Sequence, residues 1–324
     1  MQTVSVIVPC FNEEQVLPQL FARLSAAAAA WKMDFEVICV DDGSRDSTWS
    51  LLKEQHRKDP RWRCLAFSRN FGHQTAVSAG LAHASGDVVA IMDADLQDPP
   101  EELGRFLEKW RDGYEVIYAI RQKRKEGPLK RFFYWSFYRL MALLVPFDLP
   151  LDSGDFCVMD RKLVEVLNSM PERNRFVRGL RAWAGFKQIG IAYERKERAT
   201  GAPKYTLRKL IQLAWDGIFS FSTVPLTIVG CLGLVISTLS ALGILFTLAQ
   251  RIFARWFQKI GFGPVPGFAT IVITILFLGG VQLLCIGVVG EYIGRIYDEV
   301  KRRPMWIVRE ACGLKAETTH QNPQ

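Results

Sequence analysis

Two long stretches without a charged residue, Val224–Leu248 and Phe268–Val289, constrain this chain more than any other feature. Each is long enough to cross the roughly 30 Å hydrocarbon layer of a bilayer as a helix. A lipid-exposed backbone must satisfy its own polar groups, so a helix is the form such segments take. Gln282 is the most polar residue of the second stretch. The segment around Arg251–Gly267 joins the two into an expected helical hairpin, with spans at about 224–248 and 268–289. Two buried helices of a soluble core are the competing reading, disfavoured by length and by position near the end of the sequence. Arg208 and Lys209 precede the hairpin, and Arg295, Lys301, Arg302, Arg303 and Arg309 follow it. The connection holds only Arg251, Arg255 and Lys259. The bias of basic residues places both flanks on the cytoplasmic side.

Before Val224 the chain has a different character. Short apolar runs at Val4–Val8, Phe35–Val40, Arg63–Phe67, Val88–Met92 and Glu115–Ala119 read as strands. Helical patterns at Glu13–Ala30, Ser47–Arg57, Gln74–Ala84 and Pro100–Asp112 alternate with them. Pro99 and Pro100 ahead of Glu101 and Glu102 form a good helix start. This alternation predicts an α/β domain, a mostly parallel sheet with helices on both faces. Val4–Pro9 is too short for a secretory signal and reads as the first strand. The expected organisation is a cytoplasmic domain over 1–222, a hairpin over 223–292, and a C-terminal tail over 293–324.

Partners follow from charge and cysteine usage. The formal net charge is +8, which suits a membrane surface or phosphorylated substrates. No nucleic-acid-binding motif is present, so nucleic acid is not expected as a partner. Seven scattered cysteines without C-x-x-C spacing argue against a disulfide framework or a zinc site and fit a reducing cytosol. Aromatic and basic residues mix within Pro128–Pro146, among them Phe132, Trp135, Arg131 and Arg139. That pattern points to an amphipathic helix at the membrane interface, about 128–146, with a core-facing helix as the competing reading. Tyr205–Phe221 is a second segment of the same kind.

Ligands of parallel α/β sheets bind beyond the carboxyl ends of the strands. There the sequence offers Pro9-Cys10-Phe11-Asn12-Glu13, Asp41-Asp42-Gly43-Ser44 and Asp93-Ala94-Asp95-Leu96-Gln97-Asp98. Acids gathered on one edge repel one another unless a cation or donor groups sit among them. Two carboxylates two residues apart, where a strand gives way to a loop, can share a hard divalent cation that completes its shell with substrate phosphates. Such a cation would neutralise a diphosphate leaving group.

Taken together, these three motifs resemble the family 2 glycosyltransferases of the GT-A (Rossmann-like) fold. The chain is similar, more narrowly, to the polyprenyl-phosphate sugar transferases: the dolichyl-phosphate mannose synthase group and the bacterial undecaprenyl-phosphate glucosyl- and aminoarabinosyltransferases. Arg69-Asn70-Phe71-Gly72-His73-Gln74, Leu151-Asp152-Ser153-Gly154-Asp155-Phe156 and Gly290-Glu291-Tyr292-Ile293-Gly294-Arg295 extend the resemblance over about residues 1–310. It implies a sugar moved from a UDP-sugar to polyprenyl phosphate at a bacterial inner membrane, with Mg²⁺ or Mn²⁺ as cofactor. Glucose is the preferred sugar; aminoarabinose, galactosamine and mannose are the alternatives. By the same resemblance Pro9, Phe11 and Glu13 cup the uracil and ribose, Asp41 or Asp42 reaches the nucleoside, and Asp93 with Ala94 orients the donor. Asp95 would hold the metal with help from Gln97. Arg121 serves the donor, while Arg131, Arg198 and Lys204 serve the phosphates. Asp155 stands where relatives carry a catalytic acid, after a glycine turn, and is expected to position more than to remove a proton. Gly201-Ala202-Pro203-Lys204 departs from the family's usual Gly-Glu-Ser-Lys, which weakens the role of Lys204.

Two other functions compete. A processive glycan synthase would carry Gln-x-x-Arg-Trp and more spans, whereas the nearest stretch here is Arg178-Gly-Leu-Arg181-Ala-Trp183. A non-catalytic scaffold is disfavoured by the intact Asp93, Asp95, Gln97 and Arg198. Relatives form homo-oligomers, and Gly279-Gly280, Gly287 and Gly290 allow close helix packing. A partner that flips the glycosylated lipid outward is a further expectation.

Overall fold

β1 (Thr3–Cys10) is buried from Val4 onward, because strands flank it on both sides and helices cover both faces. That position requires the near-continuous apolar run of its sequence. A computed structural model of the chain describes residues 2–122, 153–170, 172–173, 175–194, 222–253, 255 and 267–315. These form two compact units, Met1–Gly217 with Arg302–Gln324, and Ile218–Lys301.

In the first unit β2 (Asp34–Asp41), β3 (Trp62–Phe67) and β4 (Val88–Ile91) run parallel to β1, with β2 and β4 as its direct neighbours. β5 (Val116–Gln122), β6 (Ser153–Asp160), β7 (Gln188–Glu194) and β8 (Val308–Cys312) complete an eight-stranded sheet of order β7-β5-β6-β4-β1-β2-β3-β8. β6 lies antiparallel between β4 and β5, and β8 lies antiparallel on the edge of β3. The mostly parallel α/β sheet expected from the sequence, of GT-A type, is thus present. The sequence reading has no strand at β6, β7 or β8. It treats 293–324 as a tail, whereas β8 and the buried Trp306 return to the sheet; Trp306 is 2% exposed and stacks on Phe67 at 6.4 Å.

Side chains alternate between the faces. Val4, Val6, Val8 and Cys10 join the core beneath α1 (Leu17–Ala29), α2 (Thr48–Lys58) and α4 (Leu103–Arg111). On α1 the buried Leu17, Leu20, Leu24, Ala27 and Ala28 make one helical stripe. Each buried leucine contributes about 1.5–3 kcal/mol. α1 starts at Leu17 rather than at the expected Glu13, since Pro18 belongs in a first turn and the Glu13 carbonyl accepts from Val16 and Leu17. The opposite face carries α3 (His73–His83), α5 (Arg161–Ser169) and α6 (Val177–Trp183). α3 lies so close to β1 that a Cβ on Gly80 would stand 2.3 Å from Ile7 Cγ2, so only glycine fits there.

Away from the carboxyl ends of the strands a buried knot ties the sheet. Glu36 Oε1 accepts from Ser5 Oγ at 2.5 Å and from Ser85 N at 2.8 Å, and Glu36 Oε2 pairs with Arg63 at 2.7 Å.

The second unit contains α7 (Val224–Ile252) and α8 (Phe268–Val300). Large apolar side chains such as Leu234, Leu239, Leu245, Ile275, Leu283 and Leu284 are exposed along both. Water does not favour such a surface, and lipid does. By length and hydropathy the candidate spans are Val224–Gly243 and Phe277–Val300. The second helix continues past the expected Val289 and carries the Glu291–Arg295 ion pair at 3.2 Å. The expected interface helices at 128–146 and 205–221 lie outside the described residues.

Candidate active site

Four strands deliver side chains to one edge of the sheet. At the end of β1, Phe11 keeps 38% of its surface exposed, leaving its ring available for stacking. Asn12 adopts a left-handed backbone (φ 55°) that its side chain stabilises, because Arg45 N donates to Asn12 Oδ1 at 2.9 Å. Glu13 N donates to Thr48 Oγ1 at 2.9 Å. These bonds lock the β1 loop onto the loop that follows β2.

Asp41 and Asp42, at the end of β2, are buried and largely structural. Asp41 Oδ1 accepts from Ser44 N at 3.0 Å, closing the turn through Gly43 (φ 70°). A side chain at Gly43 would meet the Arg69 backbone at 2.5 Å. Asp42 Oδ1 accepts from Phe71 N at 2.6 Å and Asp42 Oδ2 from Gly72 N at 3.0 Å, which sets the start of α3. Burial raises the pKa of both carboxyls, against the backbone donors that lower it. Among the described residues Asp41 Oδ2 is buried without a hydrogen-bond partner.

Beyond β4 the loop Asp93–Asp98 gathers three carboxylates. Asp95 Oδ1 accepts from Gln97 N at 3.2 Å, and Tyr193 Oη donates to the buried Asp98 Oδ1. Burial pushes the Asp93 carboxyl up to about 6, aided by the charges of Asp98, Asp155 and Asp95 and opposed by His73. Among the described residues no group of three or more His, Cys, Asp or Glu side chains could hold a metal by itself. The surplus of negative charge beside Asp95 instead suits a hard cation that takes few carboxylates and completes its shell with phosphate oxygens.

Asp155 comes from β6, not from a turn, and sits at the centre of a polar cluster. His73 Nε2 lies 3.4 Å from Asp155 Oδ2 and 3.7 Å from Asp93 Oδ1. Gln74 Nε2 donates to Asp155 Oδ2 at 3.2 Å, and Arg178 Nη2 to Asp155 Oδ1 at 3.4 Å. Gln74 is itself fixed, since its Oε1 accepts from Val177 N at 3.0 Å. Burial would raise the Asp155 pKa, but Arg178, His73 and Arg181 outweigh it and hold the carboxyl well below the usual range. Burial would likewise lower the His73 imidazole. Its ring keeps 42% of the side chain exposed, and the facing Asp155 and Asp93 carboxylates raise its pKa to about 9. His73 is therefore a cation at neutral pH.

The structure thus brings Phe11, Glu13, Asp41, Asp42, Asp93, Ala94, Asp95, Gln97 and Asp155 to one edge. Arg121 lies at the end of β5, in register with Tyr193. Arg131, Arg198 and Lys204 fall outside the described residues. Sequence reasoning assigned no role to His73, Gln74, Arg178 or Arg181. The signal was available for the first two, which follow β3, the remaining parallel strand of the central group.

The family model described as Glycosyl transferase family 2 matches residues 5–167. A glycosyltransferase of Synechocystis sp. is 42% identical over 96% of this chain and 96% of its own length. The SfII prophage-derived bactoprenol glucosyl transferase of Shigella flexneri is 39% identical over 95% of this chain and 98% of its own length. A prophage bactoprenol glucosyl transferase homolog of Escherichia coli K12 is 39% identical over 94% and 98%. With a family model over half of its length and relatives matched along nearly their whole length, the chain belongs to glycosyl transferase family 2, and it is a glycosyltransferase.

Proposed function

We propose that the protein transfers glucose from UDP-glucose to polyprenyl phosphate at the cytoplasmic face of a bacterial inner membrane. The observation that carries this reading is the near-full-length similarity, at 39% identity, to bactoprenol glucosyl transferases. Two helices long and apolar enough to cross a bilayer support a membrane-borne acceptor.

The reaction is a single displacement at the anomeric carbon. An oxygen of the acceptor phosphate attacks, the bond to the UDP oxygen breaks, and UDP leaves with inversion. The acceptor needs no general base, because a phosphate monoester with a second pKa near ~6 is already anionic at neutral pH. Asp155 agrees with that logic: a carboxylate held so firmly ionised is a poor proton acceptor, and it serves to position. Phe11, with Pro9 and Glu13, receives the uridine, and Asp41 or Asp42 reaches the nucleoside. Asp93 orients the glucose, and Arg121 assists the donor. Arg131, Arg198 and Lys204 serve the phosphates. Asp95 and Gln97 are the residues to hold Mg²⁺ or Mn²⁺. When bound, such an ion neutralises the charge that builds on the departing diphosphate. Positioning and charge stabilisation, not covalent chemistry, lower the barrier.

The test is transfer of labelled glucose from UDP-glucose to undecaprenyl phosphate by the purified full chain in detergent, with and without Mg²⁺ or Mn²⁺. Metal-dependent labelled lipid is expected, reduced about 100-fold or more by Asp95→Asn. Absence of labelled lipid from a protein that still binds UDP-glucose would overturn the acceptor assignment.

A further inference from the structure

α6 presents a charge pattern that the roles above leave unexplained. Arg178 and Arg181, three residues apart and so on one helical face, both bear on Asp155. Arg181 is only 2% exposed, lies over the Tyr118 ring at 5.4 Å, and among the described residues finds no hydrogen-bond partner for its buried Nε and Nη2. Arg178 keeps 19% of its side chain exposed; one nitrogen faces Asp155, and its buried Nε has no hydrogen-bond partner among the described residues. With His73, three cations surround one carboxylate. Buried guanidinium donors without acceptors are costly and uncommon; the partly exposed Arg178 head can meet an anion with several oxygens, while the enclosed Arg181 adds its charge from behind without touching it.

Topology indicates which anion. Along the site edge the order runs from β2 with Asp41 and Asp42, through β1 with Phe11 and Glu13 and β4 with Asp93 and Asp95, to β6 with Asp155. α6 lies at the Asp155 end. A donor with its nucleoside at the β1–β2 end places its diphosphate and sugar nearer β4. An in-line attacking group then arrives from the side away from the leaving diphosphate, the side of Asp155 and Arg178. We infer that Arg178 binds the phosphate of the lipid acceptor, oriented by Asp155 and backed by Arg181 as a positioning residue. This inference rests on the acceptor reading above.

The experiment measures steady-state kinetics of the full chain in detergent, varying UDP-glucose and undecaprenyl phosphate separately. Arg178→Gln is expected to raise the acceptor KM about tenfold or more, with the UDP-glucose KM within about twofold of wild type. Arg178→Lys should recover part of the loss, because it restores the charge without the fork. Geranyl phosphate should compete with the lipid acceptor in wild type and lose most of its inhibition in Arg178→Gln, with geraniol as the uncharged control. UDP binding by calorimetry reports that each variant is folded. A rise in the UDP-glucose KM alone would assign the pair to the donor diphosphate and overturn the inference. Unchanged kinetics would overturn it in favour of a purely structural arginine. If wild type itself glucosylates no polyprenyl phosphate, the parent reading fails and takes this inference with it.

Discussion

Replacing Asp155 with asparagine tests the polar cluster most directly. Three groups converge on this carboxylate, Gln74 at 3.2 Å and Arg178 and His73 each at 3.4 Å. Asparagine keeps one acceptor and turns the other position into a donor facing cations. Hydrogen bonds to charged groups contribute about 1.5–3 kcal/mol each. The contacts here are long and Asp155 keeps 21% of its side chain exposed, so the net loss is about 2 kcal/mol. For a domain of this size that lowers Tm by about 4–8 °C, readable by thermal unfolding of the detergent-solubilised chain at pH 7. The second readout is the His73 imidazole by NMR. Its charge depends on the facing carboxylates opposing burial, so the variant should titrate well below the wild-type value of about 9. A shift in Tm below about 1 °C together with an unmoved His73 titration would refute the claim that Asp155 organises the cluster.

Two further outcomes follow from the same structure. His73 has its folded pKa raised from 6.5 to about 9, so its contribution to stability is complete below pH 6.5 and is lost as pH rises from there through about 9. Wild type should therefore lose thermal stability across that interval more steeply than His73→Gln, and parallel slopes would contradict the charged imidazole. Trp306→Ala should cost about 3–5 kcal/mol, as expected for emptying a buried indole site. Urea unfolding checks this, and a change under about 1 kcal/mol would mean that the segment after α8 is not packed on Phe67.

The legible part of the fold is the part whose sequence reports burial on both faces. VSVIV, FEVICV and VVAI leave no polar face, and they became β1, β2 and β4 at the centre of the sheet. β6 escaped notice because it opens Ser-Gly-Asp, residues that favour turns, and only its later half is apolar. β8, Val-Arg-Glu-Ala-Cys, is a polar edge strand whose Glu310 accepts from Trp49 Nε1 at 2.7 Å and pairs with Lys53 at 3.2 Å. Nothing in such a stretch signals a strand until its partner is known. The site divides in the same way. Asp93 and Asp95 stand out beside their strand, and so do Asp41 and Asp42. The partnership of His73, Asp155 and Arg178 joins residues from α3, β6 and α6, and only the folded sheet brings them together.

The position of β8 also bears on biosynthesis. β3 is made before the two long helices, but the strand that covers its edge is made only after α7 and α8. Until then the backbone groups of Leu65, Ala66 and Phe67 on that side lack their ladder partner, and an open strand edge invites pairing with other chains. Completion of the sheet is thus deferred until the hairpin has been translated. A nascent chain arrested within the hairpin would retain the motifs of a glycosyltransferase with an unfinished edge, open to quality control.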